Sequence, residues 1–332
     1  MPVSPKGSAM SGLRHASVLV IGGLGFIGVN LTARLVTLGA RVTILSPTRS
    51  KHEEAAAGFE RQGVRIVEGD LRNADLMRGL VAGQDVIVNL SGQSGAVRSM
   101  EDPWTDLDVN CLGNLVLLET LRAHNPRAKV VFAGSRLQYG RPESIPVPEG
   151  AATEPLCLHA IHKATVESYL KLYGRLFGIR FAVARITNPY GPGQPGDRRP
   201  YGIVNRLIQL ALADDTLTIY GDGAQLRDYV HVDDVALALV AMAGSPVADG
   251  RAYNVGSGTG TSLADVAGRI VSLAGGGRVV SVAWPGLDAQ IETGDFVADI
   301  SRIRGELGWA PAIPLADGLE QTVSFYRTHR AS

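Results

Sequence analysis

The strongest constraint on the fold is a glycine-rich turn near the start of the chain, in the segment SVLVIGGLGFIG at residues 17–28. An apolar strand pattern precedes the glycines, and a helical pattern follows them. Gly22, Gly25 and Gly28 would allow a tight turn, close approach of a pyrophosphate, and close helix–strand packing, respectively. Phosphate would then lie at the helix N-terminus. The alternative is a plain tight turn, but the flanking strand and helix favour nucleotide binding.

The same alternation of strand and helix continues through the first half of the chain. Apolar strands separated by amphipathic helices predict a parallel sheet that is covered on both faces, and therefore an α/β, Rossmann-type doubly wound fold. Strands are expected at 17–21, 41–45, 64–69, 85–90, 129–134 and 180–186, and the longest helices near 103–125 and 156–177.

After residue 187 the pattern loosens into glycine- and proline-rich turns, which predicts a smaller C-terminal α/β substrate domain without a clean linker. A strand–helix pair at 228–244 could return to the main sheet. The expected organisation is a flexible lead at 1–15, a dinucleotide-binding domain at 16–186 with 228–257 returning to it, and a substrate-binding domain at 187–227 and 258–332.

Charge and composition exclude several functions. Thirty-two basic and 32 acidic residues give a formal net charge of zero, so there is no electrostatic footprint for nucleic acid or an anionic membrane. No apolar run approaches the length of a membrane span, and the first sixteen residues lack the apolar core of a signal peptide. Cys111 and Cys157 have no metal-ligand spacing, and no metal site is expected. A cytoplasmic protein is predicted.

Several motifs together carry a resemblance to a known family. The chain contains GGLGFIG at 22–28, EGDLRN at 68–73, FAGSRLQYG at 132–140, ARITNPYGPGQ at 184–194 and IYGDGAQLRDYVHVDD at 219–234. From about residue 16 to 328 it resembles the extended short-chain dehydrogenases/reductases, in the NAD-dependent epimerase/dehydratase family of sugar-nucleotide enzymes. The Gly-Gln pair after the fourth strand is similar to that of the CDP-tyvelose (paratose) 2-epimerase type.

The resemblance implies roles for individual residues. Ser135 would be the catalytic serine, Asn188 and Arg227 would hold the diphosphate of a nucleotide sugar, and Asp70 and Leu71 would contact adenine. It also implies a homodimer through the helices near 103–125 and 156–177. Besides the three glycines, cofactor contacts are expected from Phe26, Ile27, Ser46, Arg49, Leu90, Ser91, Gln93 and Lys163.

Three departures from the family's pattern matter, and the first concerns the cofactor. An acidic side chain after the second strand would bond both ribose hydroxyls of NAD, but this chain has Ser46, followed by Arg49 and Lys51. A guanidinium can bind the 2′-phosphate of NADP. The cofactor is therefore expected to be NAD or NADP with a slight preference for NADP, unless both basic side chains are only solvated loop residues.

The second departure follows Ser135. The family's 4,6-dehydratases carry Asp-Glu where this chain has Arg136 and Leu137. Neither residue is a useful acid, because leucine has no proton to transfer and arginine stays charged. This disfavours 4,6-dehydration. Arg136 could instead bind a carboxylate or phosphate of the substrate, or simply lie on the surface.

The third departure is a histidine in place of the catalytic tyrosine. The family's Tyr-x-x-x-Lys becomes HAIHK, so His159 and Lys163 lie four apart on one helix face. The lysine would bond the nicotinamide ribose. A tyrosine has a reference pKa of about 10 and must be activated, whereas a histidine starts near about 6.5 and is already a competent base when neutral. The alternative is that His159 only fills space. His162 is expected to be structural.

The chain is therefore predicted to be a sugar-nucleotide epimerase that acts through a transient keto-sugar with bound NAD(P). A reductase, a decarboxylase or an unusual dehydratase on the same scaffold is the next possibility. A protein that binds the dinucleotide without catalysis, as a redox sensor, is a third, and His159 is the main argument for it. The diphosphate residues argue against a sensor, which has no use for them.

Overall fold

A computed structural model describes residues 12–194 and 202–329, except for the side chain of Lys51. Seven parallel strands form the main sheet in the order β10-β6-β5-β4-β1-β2-β3. This is the doubly wound order with one strand added beside β6. The strands are β1 (Ser17–Ile21), β2 (Arg41–Ser46), β3 (Arg65–Glu68), β4 (Val86–Asn89), β5 (Lys129–Ser135), β6 (Arg180–Ile186) and β10 (Arg251–Val255).

Helices cover both faces of this sheet because its central strands are apolar on both sides. In β4 all four residues are buried, and in β5 the first six are. Two apolar cores result, one on each face. The helices of the first half are α1 (Phe26–Thr37), α2 (Glu53–Arg61), α3 (Ala74–Val81), α4 (Ala96–Glu101), α5 (Pro103–Leu107), α6 (Gly113–His124) and α7 (Leu158–Phe177).

The helical stretch expected near 103–125 contains a change of winding. Between α5 and α6, residues Asp108–Leu112 form a π-helical turn. Such turns are uncommon and often occur at functional sites. Here the turn carries Asn110 and Cys111, both buried, against α7. The chain is helical throughout this stretch, as the sequence predicts.

The remaining elements form a smaller region around a third apolar core. It contains a three-stranded sheet in the order β11-β9-β7 and a pair of parallel strands, β12 and β8. Its strands are β7 (Asn188–Tyr190), β8 (Thr216–Tyr220), β9 (Leu226–His231), β11 (Gly260–Ser262) and β12 (Arg278–Val282). The helices from residue 203 onward are α8 (Ile203–Leu212), α9 (Val232–Gly244), α10 (Leu263–Ala274), α11 (Gly286–Ile291), α12 (Ser301–Leu307) and α13 (Leu315–His329).

The chain returns to the main sheet somewhat later than the sequence suggests. The strand expected from residue 228 is part of β9, which pairs with β7 and β11 and not with the main sheet. The return is made by α9, which packs on α1, and by β10, which pairs with β6. β9 therefore belongs to the smaller sheet. The domain boundaries at 187, 227 and 258 remain our proposal. The segments 1–11, 195–201 and 330–332 lie outside the described residues.

Candidate active site

A cleft of about 1170 Å³ lies at the carboxyl ends of the main-sheet strands and extends toward the smaller region. The switch in strand order between β1 and β4 places it where doubly wound sheets bind their ligands. Predicted residues in its wall are Gly22, Gly25, Phe26, Ile27, Gly28, Ser46, Asp70, Leu71, Leu90, Ser91 and Asn188. Arg49, Gln93, Ser135, Arg136, His159, Lys163 and Arg227 are not part of its lining.

The glycine turn has the geometry that a pyrophosphate requires. Gly22 has a φ of +78°, which favours glycine, and a Cβ at Gly28 would lie only 2.3 Å from the carbonyl oxygen of Gly22. Gly25 is the N-cap of α1 and offers no side chain to the first-turn N–H groups. These groups stay available to an anion and stand at the positive end of the helix dipole. The residues present therefore fit a dinucleotide.

The predicted adenine contact is already engaged by a neighbour. The Asp70 carboxylate accepts hydrogen bonds from the Arg72 backbone N–H at 2.8 Å, Nε at 2.9 Å and Nη2 at 2.6 Å. These bonds to Arg72 lower the pKa of Asp70. Arg72 also lines the cleft and was not predicted as a site residue. Its position two residues after Asp70 is the only sequence feature that could have indicated this contact.

Ser46 and Arg49, on which the NADP prediction depends, have different surroundings. Ser46 is buried in the cleft wall, and its hydroxyl donates to the Thr48 carbonyl at 3.3 Å. Arg49 turns toward α2, where Nη1 lies 2.6 Å from Glu60 Oε1 and Nη2 lies 3.3 Å from Glu53 Oε1. Those carboxylates raise the pKa of Arg49. The guanidinium is thus held by acids of its own chain, outside the cleft lining.

A network of asparagines that sequence reasoning missed fixes the wall after β4. Asn89 is fully buried, and its Oδ1 accepts hydrogen bonds from the Ser91 N–H at 3.0 Å and hydroxyl at 2.6 Å. Its Nδ2 donates to Asn114 Oδ1 at 2.7 Å, and Asn114 donates to the Asn110 carbonyl at 2.8 Å. Asn110 donates to the Gln93 carbonyl at 3.2 Å. Two asparagines four apart on a helix were the signal in the sequence.

His159 and Lys163 are brought together, as their spacing predicts. Both lie on the buried side of α7, 7% and 6% exposed. Lys163 Nζ donates to the Ala133 carbonyl at 3.0 Å and lies 4.8 Å from the centre of the Phe132 ring. A Cβ on Gly92 would lie 3.3 Å from the same Nζ. Because Ala133 and Gly92 line the cleft, the lysine stands directly behind its wall.

Burial decides the charge of this pair. It is the largest cause that lowers the pKa of His159 to about 4, and the charge of Lys163 lowers it further, against Asp106 and the Gln93 backbone. Burial also lowers the pKa of Lys163 to about 8. At neutral pH the imidazole is therefore uncharged. Its Nδ1 is buried and has no hydrogen-bond partner among the described residues.

His162 has a separate environment. Its Nδ1 lies 2.5 Å from Asp106 Oδ1, and the carboxylate is fully buried. The second oxygen, Oδ2, has no hydrogen-bond partner in the described part of the chain. This buried pair joins α5 to α7 below His159, in keeping with a structural role for His162. Asp106 belongs to no motif, so its contact with His162 could not be predicted from the sequence.

Ser135 ends β5 and begins a short 3-10 turn. Its Oγ accepts a hydrogen bond from the Leu137 N–H at 3.2 Å, and its own N–H donates to Gln138 Oε1 at 2.9 Å. Among the described residues, no acceptor takes the hydroxyl proton of Ser135, so it can be donated. Leu137, where the dehydratases carry an acid, forms part of the cleft wall.

The predicted diphosphate residues lie close to Arg136. Asn188 donates from Nδ2 to the Asp228 carbonyl at 2.9 Å, and its Oδ1 accepts from Arg136 Nε at 3.4 Å. Arg227 forms an ion pair with Glu292 and donates from Nη1 to the Gly294 carbonyl at 2.6 Å. Nothing in the sequence around Glu292 indicates this ion pair. Gln93, which is not part of the cleft lining, donates to the Asp102 carbonyl at 3.4 Å.

Two further kinds of site were searched for in the described ranges. Within them, no three His, Cys, Asp or Glu side chains are placed to hold a metal ion. No helix among residues 12–194 and 202–329 is long and apolar enough to cross a membrane.

Comparison with known proteins decides the family. The model of the NAD dependent epimerase/dehydratase family matches residues 18–256, which include the glycine turn, Ser135 and the His159–Lys163 pair. The chain belongs to this family. The resemblance to extended short-chain dehydrogenases/reductases and the doubly wound fold are thereby confirmed. The family consists of NAD-dependent enzymes that act on nucleotide sugars, and this chain is therefore an enzyme.

Curated relatives of this epimerase/dehydratase chain catalyse several reactions. It is 34% identical over 315 residues to a UDP-glucose 4-epimerase from Mycolicibacterium smegmatis, covering 93% of this chain and 98% of the relative. It is 31% identical to a dTDP-glucose 4,6-dehydratase from Streptomyces niveus, covering 95% and 94%. A UDP-glucuronic acid decarboxylase 1 from Xenopus tropicalis is 30% identical, with 93% and 72% covered.

Solved structures of the family share the whole architecture. An epimerase from Methanothermobacter thermautotrophicus has a TM-score of 0.89 at 28% identity, with 97% of this chain and 95% of that one covered. A UDP-glucuronic acid 4-epimerase from Bacillus cereus, in complex with UDP-glucuronic acid and NAD, has a TM-score of 0.83 at 26% identity, with 94% and 99% covered. The second shows that an enzyme of this shape binds NAD.

Proposed function

We propose that this chain is a nucleotide-sugar epimerase that acts through a transient keto-sugar, with a nicotinamide dinucleotide held in the cleft. The observation that carries the proposal is the pair of buried side chains His159 and Lys163 on one face of α7, with Lys163 directly behind the cleft wall formed by Ala133 and Gly92. The epimerase among the relatives supports the reaction class. When bound, the dinucleotide supplies the hydride acceptor and donor.

The chain's own residues supply the acid–base chemistry. The imidazole of His159 accepts the proton of a sugar hydroxyl, because the ring is neutral and its Nδ1 is otherwise unbonded among the described groups. Ser135 donates a hydrogen bond from its hydroxyl to the reacting oxygen. When the keto-sugar is reduced, protonated His159 returns the proton to that oxygen. The glycine turn and the N-terminus of α1 would hold the pyrophosphate, and Lys163 would bond the nicotinamide ribose. Reduction on the other face of the keto-sugar would give the epimer.

A direct assay tests this function. The protein, supplied with NAD or NADP, is incubated separately with UDP-glucose, UDP-galactose, UDP-N-acetylglucosamine and UDP-glucuronate, and the products are identified by NMR. We expect interconversion of one epimer pair by the wild type and none by His159→Asn. If dinucleotide and sugar bind but no epimer forms, the enzyme would instead be a reductase or a decarboxylase. Turnover on addition of NADPH would identify the reductase, and release of CO₂ would identify the decarboxylase. A thermal shift with dinucleotide but with no sugar would favour the redox sensor.

For the cofactor, we propose NAD or NADP, and NADP as the better ligand remains a prediction. The absence of an acid at Ser46 supports it. The ion pairs of Arg49 argue the other way, because the guanidinium must leave Glu60 and Glu53 before it can reach a 2′-phosphate.

We also propose that the protein is a homodimer, and its cytoplasmic location remains a prediction. The segments 103–124 and 158–177 pack side by side and present large apolar side chains to solvent. Trp104 is the most prominent, with 77% of its surface exposed. Leu117, Leu118 and Leu170 are instead buried in the core. The exposed apolar side chains on these segments are Trp104, Leu107, Leu112, Ile161, Leu172, Leu176 and Phe177.

A further inference from the structure

Arg136 is a buried guanidinium whose charge has no acid partner. The residue is 7% exposed, and its hydrogen bonds go to neutral acceptors, from Nη1 to Thr293 Oγ1 at 2.9 Å and from Nε to Asn188 Oδ1 at 3.4 Å. The group also lies 5.3 Å from the centre of the Phe296 ring. Among the described residues, no carboxylate forms a salt bridge with it.

The two acids in its neighbourhood are committed elsewhere. Glu292 forms the ion pair with Arg227, and the same oxygen accepts the Gly294 N–H at 3.0 Å. Asp228 accepts hydrogen bonds from the N–H and hydroxyl of Ser257, and from the N–H groups of Gly258 and Ala298. Burial and the nearby charge of Arg227 lower the pKa of Arg136 to about 9. A buried charge in such surroundings is unfavourable until an anion pairs with it.

A second buried polar group in the same place lacks a partner. The hydroxyl of Tyr229 is buried and makes no hydrogen bond within the described ranges. Tyr229 is the cross-strand partner of Asn188, which Arg136 bonds, and it lies two residues after Arg227 on the same face of β9. A buried donor without an acceptor beside a buried cation without an anion is an arrangement suited to an oxyanion, which can accept from both.

The position of Arg136 ties this arrangement to the substrate. It stands between Ser135, the proposed catalytic serine, and Leu137, which lines the cleft. Asn188, its hydrogen-bond partner, also lines the cleft. The guanidinium therefore lies beside the part of the cleft that the sugar and its diphosphate would occupy, away from the glycine turn.

We propose that Arg136 binds an oxyanion of the substrate, and that its unpaired charge adds to that of Arg227, which is shared with Glu292. The inference rests on the proposed function, in which the cleft takes a nucleotide sugar. The oxyanion is either the carboxylate of a uronic acid or a phosphate of the diphosphate. Both present paired oxygens to the planar guanidinium.

Titration calorimetry of wild type and Arg136→Gln with UDP, UDP-glucose and UDP-glucuronate, at saturating NAD, tests the proposal. Glutamine keeps a polar end on the side chain but removes the charge. We expect at least a tenfold loss of affinity. A loss confined to UDP-glucuronate assigns the carboxylate, and a similar loss for all three assigns the diphosphate. Affinities of the variant within twofold of wild type for all three overturn the proposal.

Thermal unfolding of the ligand-free protein separates binding from a structural role. If Arg136 is kept for an anion, removing its unpaired charge should leave the melting temperature of Arg136→Gln unchanged or higher, and NAD binding at the other end of the cleft should persist. A lower melting temperature together with an equal loss of NAD binding would make Arg136 structural and overturn the proposal. Glu292→Gln is the matched control, because it removes a charge from the same neighbourhood without touching the Arg136 guanidinium, and it should not reproduce the loss of affinity.

The failure of the proposed function can be recognised separately. If wild type binds none of the three nucleotides, that function is wrong, and glucuronate and inorganic pyrophosphate then serve as probes in thermal-shift titrations. Stabilisation of wild type by either probe that Arg136→Gln lacks would retain the anion site. Equal responses of wild type and variant to both probes would overturn it.

Discussion

The buried histidine should make the stability of the protein depend on pH in a way that can be calculated. In the folded chain the pKa of His159 lies at about 4, and the value in an unfolded chain is 6.5. Below pH 6.5 the unfolded chain takes up a proton that the folded chain refuses, so the free energy of unfolding falls as the pH decreases from 6.5 to about 4. Below that range the loss is constant.

The size of the effect follows from the difference between the two pKa values. Each unit corresponds to about 1.4 kcal/mol, so the full loss is about 3 kcal/mol and the loss at pH 5 is about 2 kcal/mol. That is a large part of the ~5–15 kcal/mol by which most folded proteins are stable. Urea unfolding at pH 7.5, 6.5, 5.5 and 5.0, followed by tryptophan fluorescence, would measure it.

The variant His159→Asn isolates this contribution from other titrating groups. Whatever its absolute stability, it should lose about 2 kcal/mol less than wild type between pH 7.5 and pH 5. His124→Asn makes the same chemical change at an exposed position at the end of α6, and it should follow the wild-type slope. Parallel curves for wild type and His159→Asn would refute the assignment of a buried, neutral imidazole.

The same charge state predicts the pH profile of turnover. If the neutral imidazole is the base, the acid limb of kcat/KM should lie well below pH 6.5, and a basic limb should appear near pH 8 as Lys163 loses its proton. His159→Ala should lower the rate by about 10²–10⁴. Turnover within a few-fold of wild type would make the histidine a spacer.

Three further predictions concern binding and assembly. Arg227→Ala should weaken nucleotide-sugar binding about tenfold while NAD affinity is unchanged, and an equal loss of both in calorimetry would indicate misfolding. Ser46→Asp should shift preference toward NAD by repelling a 2′-phosphate, and wild type binding NAD at least tenfold better than NADP would contradict the NADP prediction. Trp104→Glu should convert the proposed dimer to a monomer in sedimentation velocity, and a monomeric wild type would exclude that interface.

The sequence predicted the fold well because the signals are local. A glycine triad between an apolar strand and a helix is typical of a doubly wound nucleotide-binding fold. The predicted strand bounds agree with the structure to within one residue at each end in the first half of the chain. The error at residue 228 has a different origin. Leu226–His231 reads as a strand in either sheet, and only its partners β7 and β11 place it in the smaller one.

The unpredicted parts of the site depend on contacts distant in sequence. Glu292 reaches Arg227 across 65 residues, and Asp106 reaches His162 across 56. No spacing or composition announces such pairs, because a carboxylate looks the same in the sequence whether it is solvated or buried against a cation. Lys163 and His159 could be predicted together, because residues four apart on one helix lie on the same face.

The two departures at His159 and Arg136 show that burial acts differently on the two groups. Desolvation removes the charge of a histidine readily, since its reference pKa is near neutrality, and the charge of Lys163 acts in the same direction, so the buried imidazole of His159 is neutral. An arginine retains its charge even with its pKa lowered to about 9, and so burial leaves Arg136 in need of an anion.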